Sequence, residues 1–80
     1  MGNLHTETYY NGEREYRISI EEANDKILTV IYAIMTDGSE MVMDHFSHEK
    51  EGKSLEDIIS HARTTVGLYP HLHDSLHSAG

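Results

Sequence analysis

The sequence predicts an α+β fold: a four-stranded antiparallel sheet made of two tandem hairpins, a C-terminal helix packed on one face, and a short terminal helix. Three observations predict it. Asn11-Gly12 and Asp37-Gly38 are turn dipeptides flanked by strand-like runs. Residues 27–36 are rich in β-branched and aromatic side chains. Beyond Ser54, apolar residues recur at three- and four-residue spacing. Helices on one face of an antiparallel sheet bury both kinds of pattern.

The first hairpin joins Leu4–Tyr10 to Glu13–Ile20. With Asn11-Gly12 as a two-residue loop, Tyr10 faces Glu13, Tyr9 faces Arg14, Glu7 faces Tyr16 and His5 faces Ile18. One face then carries Thr6, Thr8, Glu15, Arg17 and Ser19, which suits water. The other carries Tyr9, Tyr16, Ile18 and Ile20, which suits a core. Residues 21–26 read as a polar connection turning at Asn24-Asp25, and Ser19 with Glu22 has capping-box spacing for a short helical turn.

The run from Ile27 to Thr36 is apolar on both faces, as a central strand covered on each side would be. A two-residue loop at Asp37-Gly38 sets Leu28, Val30, Tyr32, Ile34, Met41 and Met43 on one face. It sets Thr29, Ile31, Ala33 and Met35 on the other, beside Glu40, Val42 and Asp44. A three-residue loop through Ser39 flips the second strand. If the helix covers the first of these faces, Ile31, Ala33, Met35 and Val42 form an apolar stripe suited to a homodimer or partner contact, and edge-strand pairing of Leu4–Tyr10 is the other route to a homodimer.

Residues 48–53 make a charged loop, and Ser54 caps a helix with Glu56 and Asp57 in its first turn. Leu55, Ile58, Ile59, Ala62 and Val66 form its inward stripe. Gly67 is placed to end that helix and Pro70 to start a short second one, with residues 78–80 frayed.

Composition bounds function. The chain is one domain of 80 residues with 14 acidic and 6 basic residues, a formal charge of −8 and no cysteine. Disulfides and thiolate zinc sites are therefore excluded. No apolar run approaches the roughly 20 residues of a membrane helix, so a cytoplasmic protein with no membrane partner is expected. The opening Met1-Gly2-Asn3-Leu4-His5-Thr6 fits a myristoylation outline, but one acyl chain without a basic patch anchors poorly.

The charge repels nucleic acid and attracts basic protein surfaces. The expected partner is thus a basic, nucleic-acid-binding protein rather than nucleic acid itself. The acids proposed to meet it are Glu21, Glu22, Asp25, Glu49, Glu51, Glu56 and Asp57, with Tyr10 as an exposed aromatic contact. In concrete form, this expectation is a small inhibitor mimicking nucleic-acid charge, of the kind phages and mobile elements direct against restriction or CRISPR machinery.

The seven histidines are the second oddity, and protonating all of them moves the formal charge from −8 to −1. His73 and His77, four apart, have metal-compatible spacing, yet no complete ligand set is present and no cofactor is expected. There is no G-x-S-x-G elbow and no phosphate-binding glycine loop, so a non-enzymatic role is expected.

Overall fold

The computed structural model describes the backbone of residues 2–79 and the side chains of residues 2–69. Four strands, β1 (Gly2–Asn11), β2 (Arg14–Ala23), β3 (Lys26–Ile34) and β4 (Glu40–Glu49), precede one helix, α1 (Leu55–Ala79). Each strand pairs antiparallel with the next, so spatial order follows chain order and β1 and β4 are the sheet edges.

The β1–β2 register lies two residues from the one expected: Tyr9 faces Tyr16, Tyr10 faces Glu15 and Asn11 faces Arg14. The loop is Gly12-Glu13, with positive φ at Gly12 alone. That is the pattern of a turn with glycine at its first central position. A two-residue slip preserves the face of every side chain. Tyr16, Ile18 and Ile20 are accordingly buried as the alternation requires, with Tyr9 packed against them.

β2 continues through the supposed polar connection to Ala23, and Ser19 is a strand residue rather than a helix cap. Cross-strand pairing to β3 holds these residues extended. The turn is Asn24-Asp25, and Asn24 adopts φ 58°, a left-handed conformation that asparagine tolerates.

The β3–β4 connection differs most from expectation. Ile34 faces Glu40 across a five-residue loop, in which the Asp37 carboxylate accepts from the Ser39 amide at 3.0 Å and hydroxyl at 2.6 Å. The register then shifts between Ile31 and Tyr32, with Met43 as the extra residue. This bulge sets Val42 beside Tyr32 on one face and Met41 beside Ala33 on the other, reversing the expected sides.

The helix covers the face of Ile27, Thr29, Ile31 and Ala33, all buried. Pairing dictates this choice, because Ile18 faces Ile31 and Tyr16 faces Ala33. The expected stripe of Ile31, Ala33, Met35 and Val42 is therefore no surface. Ile31 and Ala33 are core, Met35 lies in the β3–β4 loop, and Val42, 54 % exposed, points to the opposite side. The Thr29 hydroxyl is buried without a hydrogen-bond partner among the described residues.

α1 starts as its sequence directs. The Ser54 hydroxyl accepts from the Asp57 amide at 3.1 Å, and Ile58, Ala62, Val66 and Tyr69 bury one stripe. Tyr69 meets Tyr16 with ring centroids 5.5 Å apart. The expected break at Gly67 and second helix from Pro70 are replaced by one 25-residue helix. Gly67 does not have the positive φ of a terminating glycine.

Pro70 has no N–H, so the Val66 carbonyl loses its partner one turn on. The Asn11 side chain, from the first hairpin, donates through its Nδ2 to that carbonyl at 2.9 Å. Asn11, expected to form the turn, thus caps a gap in the helix. Asn11→Ala is expected to destabilise the fold by about 1–2 kcal/mol. In a Pro70→Ala background, where an amide refills the gap, the loss should shrink to a fraction of that. Urea unfolding of the double-mutant cycle measures it, and equal losses in both backgrounds would refute the cap.

Candidate functional site

Antiparallel alternation sends four acidic segments to one end of the sheet. Glu21 and Glu22 close β2, Asp25 forms the β2–β3 turn, Glu49 ends β4, and Glu51 follows in the loop to α1. Glu56 and Asp57 occupy the first turn of the helix, which starts at the same end. The Lys50 amide donates to the Asp25 carbonyl at 3.4 Å and brings loop and turn together. A groove of about 580 Å³ between them is lined by Asp25, Glu49, Lys50 and Glu51.

Lysines interrupt this patch. Lys26 bonds Glu49 at 2.8 Å, and Lys50 pairs with Glu22. Lys50 lowers the Glu22 pKa, and Glu49 raises that of Lys26. Glu21, Asp25, Glu51, Glu56 and Asp57 make no ion pair among the described residues. Five of the seven proposed acids therefore remain free there to meet an external cation. Tyr10, 61 % exposed, stands apart from them beside the first hairpin turn, at the other end of the sheet.

Three interactions were not foreseen from sequence. Glu7 projects from the helix side of β1 and accepts two bonds from the Arg63 guanidinium, at 2.7 and 2.8 Å, and contacts His5 Nε2 at 2.6 Å. These bonds, Arg63 foremost, hold the Glu7 pKa at about 2 against the opposing effect of burial. A carboxylate on the inward face of an edge strand was the available signal. Arg17 likewise clasps Glu40 at 2.7 and 2.8 Å on the helix-free face, with its guanidinium 4.3 Å from the Tyr32 ring centre. Both sequence separation and the bulge hid that pair.

The third is an imidazole cluster. His48 lies on β4 rather than in a loop, and its ring centre is 5.8 Å from that of His61, which sits 4.8 Å from Phe46. Burial first, then Lys53 and His61, lowers the His48 pKa. Its Nε2 has no hydrogen-bond partner among the described residues. The Tyr69 phenol is pushed up to about 12 by burial, with the Asp44 carboxylate further disfavouring phenolate.

No group of three or more potential metal ligands converges among the described residues, and His73 and His77 lie outside the described side chains. Of residues 78–80, expected to fray, Ser78 and Ala79 form the end of α1 and Gly80 lies outside the described residues. No described helix is long and apolar enough to cross a membrane. Comparison of the chain with protein-family models, curated proteins and solved structures finds no match.

Acidification should erode stability in two windows. The lowered His48 pKa means the unfolded chain takes up the proton first, so this contribution is full above pH 6.5 and lost below it. The lowered Glu7 pKa gives a contribution full above pH 4.5 and lost as pH falls toward 2. Melting temperatures across pH should show His48→Leu flattening the first decline and Glu7→Gln the second, the latter costing about 1 kcal/mol near neutrality. Unchanged declines in these variants would refute the assignments.

Proposed function

We propose that this chain is a non-enzymatic binding module whose acidic end engages a basic surface on another protein. Its most concrete form is an inhibitor that occupies a nucleic-acid-binding surface, of anti-restriction or anti-CRISPR type. The observation that carries this reading is the set of five carboxylates that have no cationic partner among the described residues, around the β2–β3 turn and the start of α1. They come from four separate segments, yet strand alternation delivers them to one end. Charge of this kind speeds encounter and selects a cationic partner, at a strength that salt screens.

The ion pairs Lys26–Glu49 and Lys50–Glu22 restrict the reading. Glu22 and Glu49 are spent within the fold, so recognition falls to Glu21, Asp25, Glu51, Glu56 and Asp57. Tyr10 belongs to a different surface.

The test is capture of binding proteins from a lysate on the immobilised chain and on the variant Asp25→Lys, Glu51→Lys, Asp57→Lys. Captured proteins should be basic, should be released by duplex DNA or RNA, and should be lost from the variant. Raising salt to about 0.5 M, where the Debye length shortens to a few ångströms, should release them as well. Retention in high salt and by the variant would refute an acidic contact.

A second reading has one observation in its favour. The helix leaves the other sheet face open, and Leu28, Val30, Tyr32 and Ile34 line it, with Val42 beside Tyr32. A homodimer packed through that face should show concentration-dependent sedimentation, abolished by Val42→Glu. A monomer at all concentrations would exclude it.

A further inference from the structure

The outer edge of β1 is unused. Besides its ladder with β2, no backbone group of Gly2–Asn11 makes a hydrogen bond among the described residues. In an antiparallel ladder, residues alternate between pairs that exchange hydrogen bonds and pairs that do not. The pair closing a two-residue loop, Asn11–Arg14, belongs to the bonded set. Tyr9–Tyr16, Glu7–Ile18 and His5–Ile20 follow in that set. Thr6, Thr8 and Tyr10 therefore direct their N–H and C=O groups away from β2, across the free edge.

The other edge is protected. β4 carries the bulge at Met43, and the Asp44 carboxylate occupies the His45 amide at 3.0 Å. Bulges and charges of this sort are how sheets blunt an edge against further pairing. The only irregularity of β1 falls at its far end, between Asn3 and His5, leaving His5–Asn11 a regular strand.

Beside this edge runs a groove of about 620 Å³ between β1 and α1. Tyr9 and Ile59 supply apolar surface, while along the helix Ser60 and Thr64 present small side chains and Gly67 presents bare backbone. A backbone can approach closely over such a wall. Arg63 also borders the groove, but its guanidinium is committed to Glu7 by two bonds. The Glu56 carboxylate at the same wall has no ion-pair partner among the described residues. Among the described residues, the groove thus offers uncompensated negative charge and no free cation.

We infer that β1 accepts an extended segment of a partner protein as a fifth strand, seated in the β1–α1 groove with a lysine or arginine facing Glu56. Strand addition uses main-chain bonds for affinity and alternate side chains for selection. Charge complementarity favours a basic segment over a second copy, whose own edge would bring a chain of formal charge −8 against another. The site depends on backbone groups of β1 and shares only Glu56 with the acidic end, so its failure would leave the contacts of Glu21, Asp25, Glu51 and Asp57 untouched.

A phage-displayed library of random dodecapeptides, selected on the full chain, supplies the probe. Enriched peptides should be extended and carry basic residues, and binding should protect the amides of Thr6, Thr8 and Tyr10 from hydrogen exchange. Thr8→Pro removes an outward N–H without breaking a ladder bond, and is expected to weaken peptide binding at least tenfold. Thr8→Ala keeps the N–H and should bind within about twofold of the parent. Native-like amide spectra of both variants confirm their folding, and a shifted Thr8→Pro spectrum would be replaced by amide protection in the parent as the deciding measurement. No enrichment, equal binding by Thr8→Pro, or protection that appears with chain concentration alone would each overturn the proposal, the last by making a second copy the occupant.

Discussion

A single helix, about 10 Å across, cannot cover both faces of a sheet whose four strands span roughly 15 Å. That constraint sets the rest of the structure. One face is given to the core, with Tyr16, Ile18 and Ile20 of β2 and Ile27, Ile31 and Ala33 of β3 beneath Ile58, Ala62, Val66 and Tyr69. The other face stays open even where β3 is apolar on both sides. The chain resolves part of that conflict by laying Arg17 over Tyr32 and tying it to Glu40. A charged group with an aliphatic stem covers apolar surface while keeping its head hydrated.

The helix itself is held by bonds that join distant parts of the sequence. Arg63 reaches Glu7, and the Val66 carbonyl receives Asn11, so β1 is clamped to α1 at two points. Without them, β1 would be a polar edge strand with little to bury: His5, Glu7 and Asn11 accompany Tyr9 on its helix side. The same two clamps hold α1 in place above the groove and leave the edge of β1 beyond it free. Structural anchoring and an available surface have a common origin here.

Much of this architecture was legible because the alternation in β2 and the stripe in α1 are strong local signals. The faces of the first hairpin survived an error in register, since a slip of two residues changes partners but not sides. The second hairpin did not survive, because one extra residue at Met43 reverses the sides of the strand segment nearest the loop. Nothing in Glu40–Phe46 marks where such a bulge falls. Pro70 read as a helix start for sound local reasons, but Asn11, far away in sequence, satisfies the carbonyl it exposes. Long-range compensation of this kind has no local signature.

Of the candidate acidic surface, sequence supplied candidates and not their arrangement. Turn, loop and helix-start positions singled out Glu21, Glu22, Asp25, Glu49, Glu51, Glu56 and Asp57, while their meeting at one end and the neutralisation of Glu22 and Glu49 required knowing the strand pairing. Leu4–Tyr10 read as a candidate edge strand, but strand order decides which strands are edges, and only the pairing shows β1 to be one. Residue-resolved amide hydrogen exchange of the isolated chain measures the underlying claim most directly. Slow exchange should mark the inward ladder amides of the sheet, those of Glu7 and Tyr9 in β1 included, and the buried turns of α1, with Thr6, Thr8 and Tyr10 exchanging near the rate of open chain. Strong protection of those three amides in a dilute monomer would contradict a sheet that is covered on one face and open along β1.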